Sequence, residues 1–191
     1  MDAQNDLQRE RNDLKKLILD RSFQQGSHYR TPTKIVDNYF DFFEISLKHQ
    51  GVHLTSNLVH NELKDLDIVA VGGPGDSIKS ILCRVAYMNK IGVFYVRDSI
   101  RKEGDLNAPK WLESRIKAGD KVALIGDVIS SGSRMISAIE QVMQFGAVLQ
   151  RIVVIIDSED GSGREKITRF LDTNQLDASL RVLFTQAELK Q

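Results

Sequence analysis

Residues 121–134, Lys-Val-Ala-Leu-Ile-Gly-Asp-Val-Ile-Ser-Ser-Gly-Ser-Arg, carry an apolar run into an acid, then into a hydroxyl-rich turn, then into a helical pattern. Val122, Leu124 and Ile125 read as a buried strand, and Met135, Ile136, Ile139, Val142 and Met143 recur at helical spacing up to the stop at Gly146. The turn between them is therefore a helix N-terminus, where backbone N–H groups lack intrahelical acceptors and the helix dipole is positive. The amides of residues 130–133 and the hydroxyls of Ser130, Ser131 and Ser133 can surround a phosphate there, with Gly132 letting the chain bend close to the ligand. Asp127 stands at the carboxyl end of the strand, within reach of the hydroxyls of a ribose attached to that phosphate.

Outward from this stretch the pattern alternates. Strands are predicted at 68–71, 93–96, 122–125, 152–156 and 181–185, and helices at 77–89, 134–145 and 164–171. Continuously apolar strands separated by helices imply an α/β fold whose parallel sheet is covered on both faces, so ligands belong in the loops after the strands. Towards the N-terminus, Leu7, Leu14, Leu17 and Ile18 form a helical stripe that predicts an amphipathic packing helix over about 3–20. Residues 39–43 look strand-like, their continuation from Glu44 to His49 can be helical, and a further helix is expected from the cap candidates Thr55 and Ser56 to about Leu66.

Composition narrows the classes of function. The chain of 191 residues fits one domain, and 26 basic against 26 acidic residues leave a formal net charge of 0. No global field then argues for nucleic acid or an acidic membrane surface as a partner, and any anion site must be local. Cys83 is the only cysteine, which excludes an internal disulfide, fits a reducing cytoplasm and reads as a small buried hydrophobe. No apolar run has the length of a signal peptide or a membrane span, so the expectation is a soluble, cytoplasmic chain with no membrane partner. His28, His49, His53 and His60 show no metal-ligand spacing.

The stretch at 121–134 resembles the motif by which type I phosphoribosyltransferases bind 5-phosphoribosyl 1-diphosphate (PRPP): a hydrophobic strand, two acids, an aliphatic pair and a Thr/Ser-rich loop with glycine. Gly126 stands where the first acid is usual. The glycine-rich turn at 72–77 corresponds to that family's pyrophosphate loop, which implicates Gly73, Gly75, Asp76 and Ser77. Asp76 and Ser77 take places where two glycines are common, and a carboxylate there repels pyrophosphate unless Mg²⁺ bridges the two.

Three further segments are similar to the orotate branch of the family. Val96-Arg97, Arg101, Gly104 and Glu113-Ser114 nearly match the spacing of its long loop. The match implies a lid over 97–113 that brings Arg97, Arg101 and Lys102 to the pyrophosphate and closes on the neighbouring subunit of a homodimer. Asp98 and Glu103 replace a lysine and a histidine there. Residues 157–165 resemble the branch's Asp-Arg-x-x-Gly-Gly-Arg-Glu; after a one-residue insertion Arg164 matches the arginine that pairs with the orotate carboxylate, a contact a guanidinium fork suits. Thr33-Lys34 followed by Tyr39-Phe40-Asp41 is similar to its hood, which points Lys34 at base or phosphate.

The resemblance runs from about residue 14 to about 186. It implies a Rossmann-like type I phosphoribosyltransferase core over 61–191 with an N-terminal helix and small hood over 1–60, in one domain. It also implies transfer of the phosphoribosyl group of PRPP to a pyrimidine base, orotate to orotidine monophosphate, with release of pyrophosphate. Asp127, Arg97 and Arg101 would serve the reacting centre, and Mg²⁺ would be met by Asp127 through PRPP or water. Two alternatives stay open: a phosphoribosyltransferase of other base specificity, from the extra residue before Arg164, and a non-catalytic binder of PRPP or a nucleotide. The second follows from Gly126, Asp76, Asp98 and Glu103, which all fall on ribose and pyrophosphate handling and leave the phosphate cradle intact.

Overall fold

The computed structural model describes residues 3–31, 34–97, 112–113 and 116–191, with the backbone alone at 3, 29–31, 34–36 and 112–113. Its centre is a six-stranded sheet. Strands β3 (Ala70–Pro74), β4 (Gly92–Val96), β6 (Lys121–Ile129), β7 (Val148–Asp157) and β8 (Ser179–Thr185) run parallel, and the short β5 (Leu112–Glu113) lies antiparallel on the edge of β4. The order is β5-β4-β3-β6-β7-β8. The expected parallel sheet is thus present, and its strands run apolar because both faces are covered. In β6, Ala123 and Ile125 enter one core with the buried residues of the N-terminal helices, while Val122 and Leu124 enter a second core beneath α5 (Ser133–Phe145) and α6 (Gly163–Thr173). Strand β7 divides likewise, with Val153 and Ile155 on the first side and Ile152 and Val154 on the second.

On the first side lie α1 (Ala3–Leu17), which continues as a π-helical turn over Ile18–Ser22, together with α3 (His49–Leu63) and α4 (Lys79–Asn89). Helix α1 and its π-helical continuation bury Leu14 and Ile18 as the stripe predicts, and Arg11 Nη2 ties the helix to the Leu183 carbonyl at 2.5 Å and to Glu188 Oε1 at 2.6 Å. Glu188 sits in the C-terminal turn α7 (Gln186–Leu189). A separate antiparallel pair, β1 (Phe23–Thr31) and β2 (Lys34–Phe40), and the short α2 (Phe43–Ser46) make the hood-like portion.

Three expectations are corrected. Helix α3 begins at His49, not at Thr55 or Ser56, which lie fully buried inside it because the stripe Leu54, Leu58, Val59 and Leu63 needs the longer helix to reach the core. The aromatic run is strand only to Phe40; Phe42 is buried and Phe43 already opens α2. Cys83 is exposed: Leu82, Val85 and Ala86 form the buried stripe of α4 and Cys83 falls beside it, its Sγ 3.4 Å from the Tyr95 hydroxyl. The hydrogen bond with the Cys83 thiol, and then burial, push the Tyr95 phenol up to about 12.

Candidate active site at the strand switch

Strands β3 and β6 are neighbours, yet the chain leaves β3 towards β4 and leaves β6 towards β7. Connections that diverge in this way open a crevice at the carboxyl ends of the two strands, where open α/β sheets hold ligands. A cavity of about 440 Å³ lies there, walled by Asn38 to Phe43 of the hood, Gly75 to Ser77 after β3, and Asp127, Arg134 and Ser158. A second cavity of about 230 Å³ follows the turn after β6 from Gly126 to Met135, and Asp127, Val128 and Arg134 belong to both.

Asp127 sits inside β6 rather than beyond its end. The strand continues through Val128 and Ile129, which pair with Ile156 and Asp157 of β7. By strand alternation Asp127 shares the side of Ile125, and there the Ser77 hydroxyl donates to Oδ2 while the Val128 N–H donates to Oδ1 at 2.7 Å. The carboxylate therefore joins the two diverging loops. Gly126 shares the other face: a Cβ on it would meet Met135 Cε at 2.6 Å, beneath α5. The acid missing from position 126 would thus have started from the opposite side of the strand to Asp127.

The turn after β6 brings Ser130, Ser131, Gly132 and Ser133 together at the start of α5. Ser130 is 3% exposed and its hydroxyl has no hydrogen-bond partner, an orphan that a bound anion satisfies. Ser131 and Ser133 are exposed, with their hydroxyls 3.3 Å apart. Gly132 takes φ +76 as the N-cap of α5. It also has a packing role, because a Cβ there would meet the Gly163 carbonyl oxygen at 2.9 Å and its Cα at 3.1 Å. Gly163, in turn, packs against the Ser130 carbonyl. The glycine lets the start of α6 lock onto the cradle from behind.

In the turn after β3, Gly75 adopts φ +88, Asp76 is exposed and Ser77 is buried. Lys79 Nζ lies 2.6 Å from Asp76 Oδ1, and this ammonium holds the Asp76 carboxyl below its usual range. Gly73 does not reach the cavity lining: it is buried in β3 with its Cα against the Ile125 carbonyl, so it serves the close approach of the two strands.

Other expected residues are not brought into the cleft. Arg164, the second residue of α6, is exposed and lines an outer groove with Thr168, Arg169 and Asp172. Arg97 follows the end of β4 and is half-buried. Arg101, Lys102, Asp98 and Glu103 lie outside the described residues, as does the side chain of Lys34, whose backbone opens β2. Among the described residues there is no group of three or more His, Cys, Asp and Glu poised around a metal, and no helix long and apolar enough to cross a membrane.

Sequence reasoning missed Arg134 and Ser158. Arg134 ends the stretch quoted at the outset, and a signal for it existed: side chains in the first turn of a helix lean back towards its N-terminus, here the cradle. Ser158 is buried against the Ile129 carbonyl, 2.9 Å away, and Asp160 Oδ1, 2.6 Å away. Burial pushes the neighbouring Asp157 carboxyl up.

No protein-family model matches the chain. It is 26% identical to the orotate phosphoribosyltransferase of Aquifex aeolicus over 168 residues, 84% of this chain and 90% of that one. It is 28% identical to that of Thermococcus kodakarensis over 139 residues, 72% and 74% of the two chains. The crystal structure of Mycobacterium tuberculosis orotate phosphoribosyltransferase in complex with PRPP superposes with a TM-score of 0.72 at 19% identity, covering 95% of this chain and 99% of that one. With its parallel sheet, its cleft at the β3/β6 divergence and these sequence similarities, the chain is a type I phosphoribosyltransferase in fold, similar in sequence to the orotate phosphoribosyltransferases.

Proposed function

We propose that the protein transfers the phosphoribosyl group of PRPP to orotate, giving orotidine monophosphate and pyrophosphate. The observation that carries this reading is Asp127, hydrogen-bonded to Ser77 of one diverging loop and lining one cavity with Ser130 of the other, whose hydroxyl is an orphan. A ribose between the two loops has its 5-phosphate on the amides and hydroxyls of residues 130–133, its hydroxyls at Asp127 and its diphosphate towards Gly75 to Ser77. The base enters from the hood side, past Tyr39, Phe40 and Phe42.

Attack of the base nitrogen on C1 of the ribose as pyrophosphate leaves builds positive charge on the sugar, so no protein nucleophile is needed. The chain must align the reactants and place negative charge near the ribose, which Asp127 does, and positive charge near the leaving group. Pairing of Asp76 with Lys79 moderates the repulsion that a bare carboxylate would exert on pyrophosphate. Mg²⁺ suits the site, since it binds through one or two carboxylates together with substrate phosphates: Asp127 offers the carboxylate. Held there, Mg²⁺ would supply charge neutralisation for the diphosphate. The lid over 97–113, with Arg97, Arg101 and Lys102, completes the pyrophosphate site of a neighbouring subunit in a cytoplasmic homodimer, and Lys34 remains a candidate for the base.

Incubation with PRPP, Mg²⁺ and orotate is expected to release pyrophosphate in step with loss of orotate. PRPP binding without release would contradict transfer and leave a binding protein. Release with another base and not with orotate would correct the substrate.

A further inference from the structure

Among the described residues that line either cavity, Arg134 is the only lysine or arginine. Three carboxylates, Asp41, Asp76 and Asp127, line the larger cavity with it. Asp127 accepts two hydrogen bonds and Asp76 is paired with Lys79 from outside the lining, but a ligand with two phosphate-bearing ends still meets more negative than positive charge there. Arg134 has the placement to offset this. It stands in the first turn of α5, directly after the cradle, and its Nη1 reaches across to within 3.6 Å of where a Cβ of Gly75 would lie. One side chain thus spans from the turn after β6 to the turn after β3, beside the buried, unpartnered Ser130 hydroxyl.

We infer that Arg134 is a bridging substrate-binding residue, its guanidinium contacting both the monoester phosphate in the cradle and the diphosphate at the Gly75–Ser77 turn. The inference rests on the PRPP reading above and adds to it the group that holds the two anionic ends of one ligand at a fixed separation. A planar fork of five N–H donors suits this; an ammonium reaches one end at a time.

The test is calorimetric binding of three probes, uridine 5-monophosphate, pyrophosphate and PRPP, each with Mg²⁺, to the wild-type chain, Arg134→Ala, Arg134→Lys and the outer-groove control Arg169→Ala. Charge-assisted hydrogen bonds of this kind predict that Arg134→Ala weakens the monophosphate and pyrophosphate each by about tenfold and PRPP by about a hundredfold. Arg134→Lys should recover part of the monophosphate and pyrophosphate affinity but less of that for PRPP, and Arg169→Ala should leave all three unchanged. Unchanged melting temperatures separate lost binding from lost folding, and Arg134→Lys carries the comparison if the alanine variant melts early. A loss confined to one probe, or PRPP binding by Arg134→Ala within twofold of wild type, overturns the bridge while leaving the PRPP reading standing. Wild-type protein that binds no PRPP overturns both.

Discussion

The turns after β3 and β6 are alike in plan and unlike in construction. Both leave a parallel strand at the switch point, both hold a glycine at positive φ and buried serine, and both lead into a helix. The turn after β6 is held by backbone, with Gly132 and Gly163 interlocked and the buried Ser130 hydroxyl left without a partner. The turn after β3 is held by charge, with Asp76 on Lys79 and Arg134 reaching over Gly75. A site set by backbone geometry tolerates little change, whereas one set by exposed side chains can exchange charges and keep its shape. Asp76 falls in the charge-held turn in line with this contrast, while Gly126, inside β6, is a departure that the contrast does not explain.

The comparison breaks most sharply at the carboxylate that joins the turns. Asp127→Asn keeps an oxygen for the Ser77 hydroxyl but removes the charge beside the ribose, so turnover should fall about a hundredfold or more while PRPP still binds. Equal loss of binding and turnover would place Asp127 in ground-state recognition instead. Next in size is the pair Gly132→Ala and Gly75→Ala. Both impose a positive φ on alanine, but only the first drives a Cβ into backbone, so it should cost about 1–3 kcal/mol with weakened phosphate binding. Gly75→Ala meets only Arg134 Nη1 at 3.6 Å, so it carries the positive-φ cost alone, about 1 kcal/mol, and should keep phosphate binding. Equal melting temperatures for the two would remove the claim that the turns are built differently.

A smaller effect is expected at the charged turn. Asp76→Asn should tighten pyrophosphate a few-fold and Lys79→Ala weaken it a few-fold, since exposed ion pairs are worth up to about 1 kcal/mol. Pyrophosphate titrations in which both variants match wild type would show that the pair lies outside the ligand's field. The last prediction concerns stability and pH. Burial raises the Asp157 carboxyl above its ordinary 3.8, so the folded chain holds that proton more tightly than the unfolded one. The stability this group contributes is present at low pH and is lost as pH rises above that value, which is the opposite of a salt-bridged carboxylate. Asp157→Asn removes this loss and keeps an oxygen for the Glu159 N–H, so melts should increasingly favour the variant as pH rises from about 4 towards 7. A difference that stays flat or reverses contradicts the assignment.

The sheet was legible in the sequence because buried parallel strands are written as plain apolar runs, and the 152–156 and 122–125 segments mark β7 and β6 correctly. Their ends were not, since Gly126-Asp127 interrupts the apolar run while the backbone goes on pairing to Ile129. The cradle was legible for the same reason as the sheet: it depends on where a strand stops and a helix starts. Arg164 and Arg134 show what was hidden. Their residue types are equally suggestive, but which one faces the cleft depends on the direction of a helix over the sheet, and that is set by the packing of Met135, Ile139 and Ile167 in the second core. Cys83 is hidden for a related reason: one position on a helical stripe separates it from the buried Leu82.

The most direct test of the whole account runs the reaction backwards. Orotidine monophosphate and pyrophosphate, supplied with Mg²⁺ to the purified full chain, should yield orotate, followed by its ultraviolet absorbance, with PRPP formed in equal amount. Binding of orotidine monophosphate with no orotate released, under conditions in which an authentic orotate phosphoribosyltransferase turns over, would contradict the account.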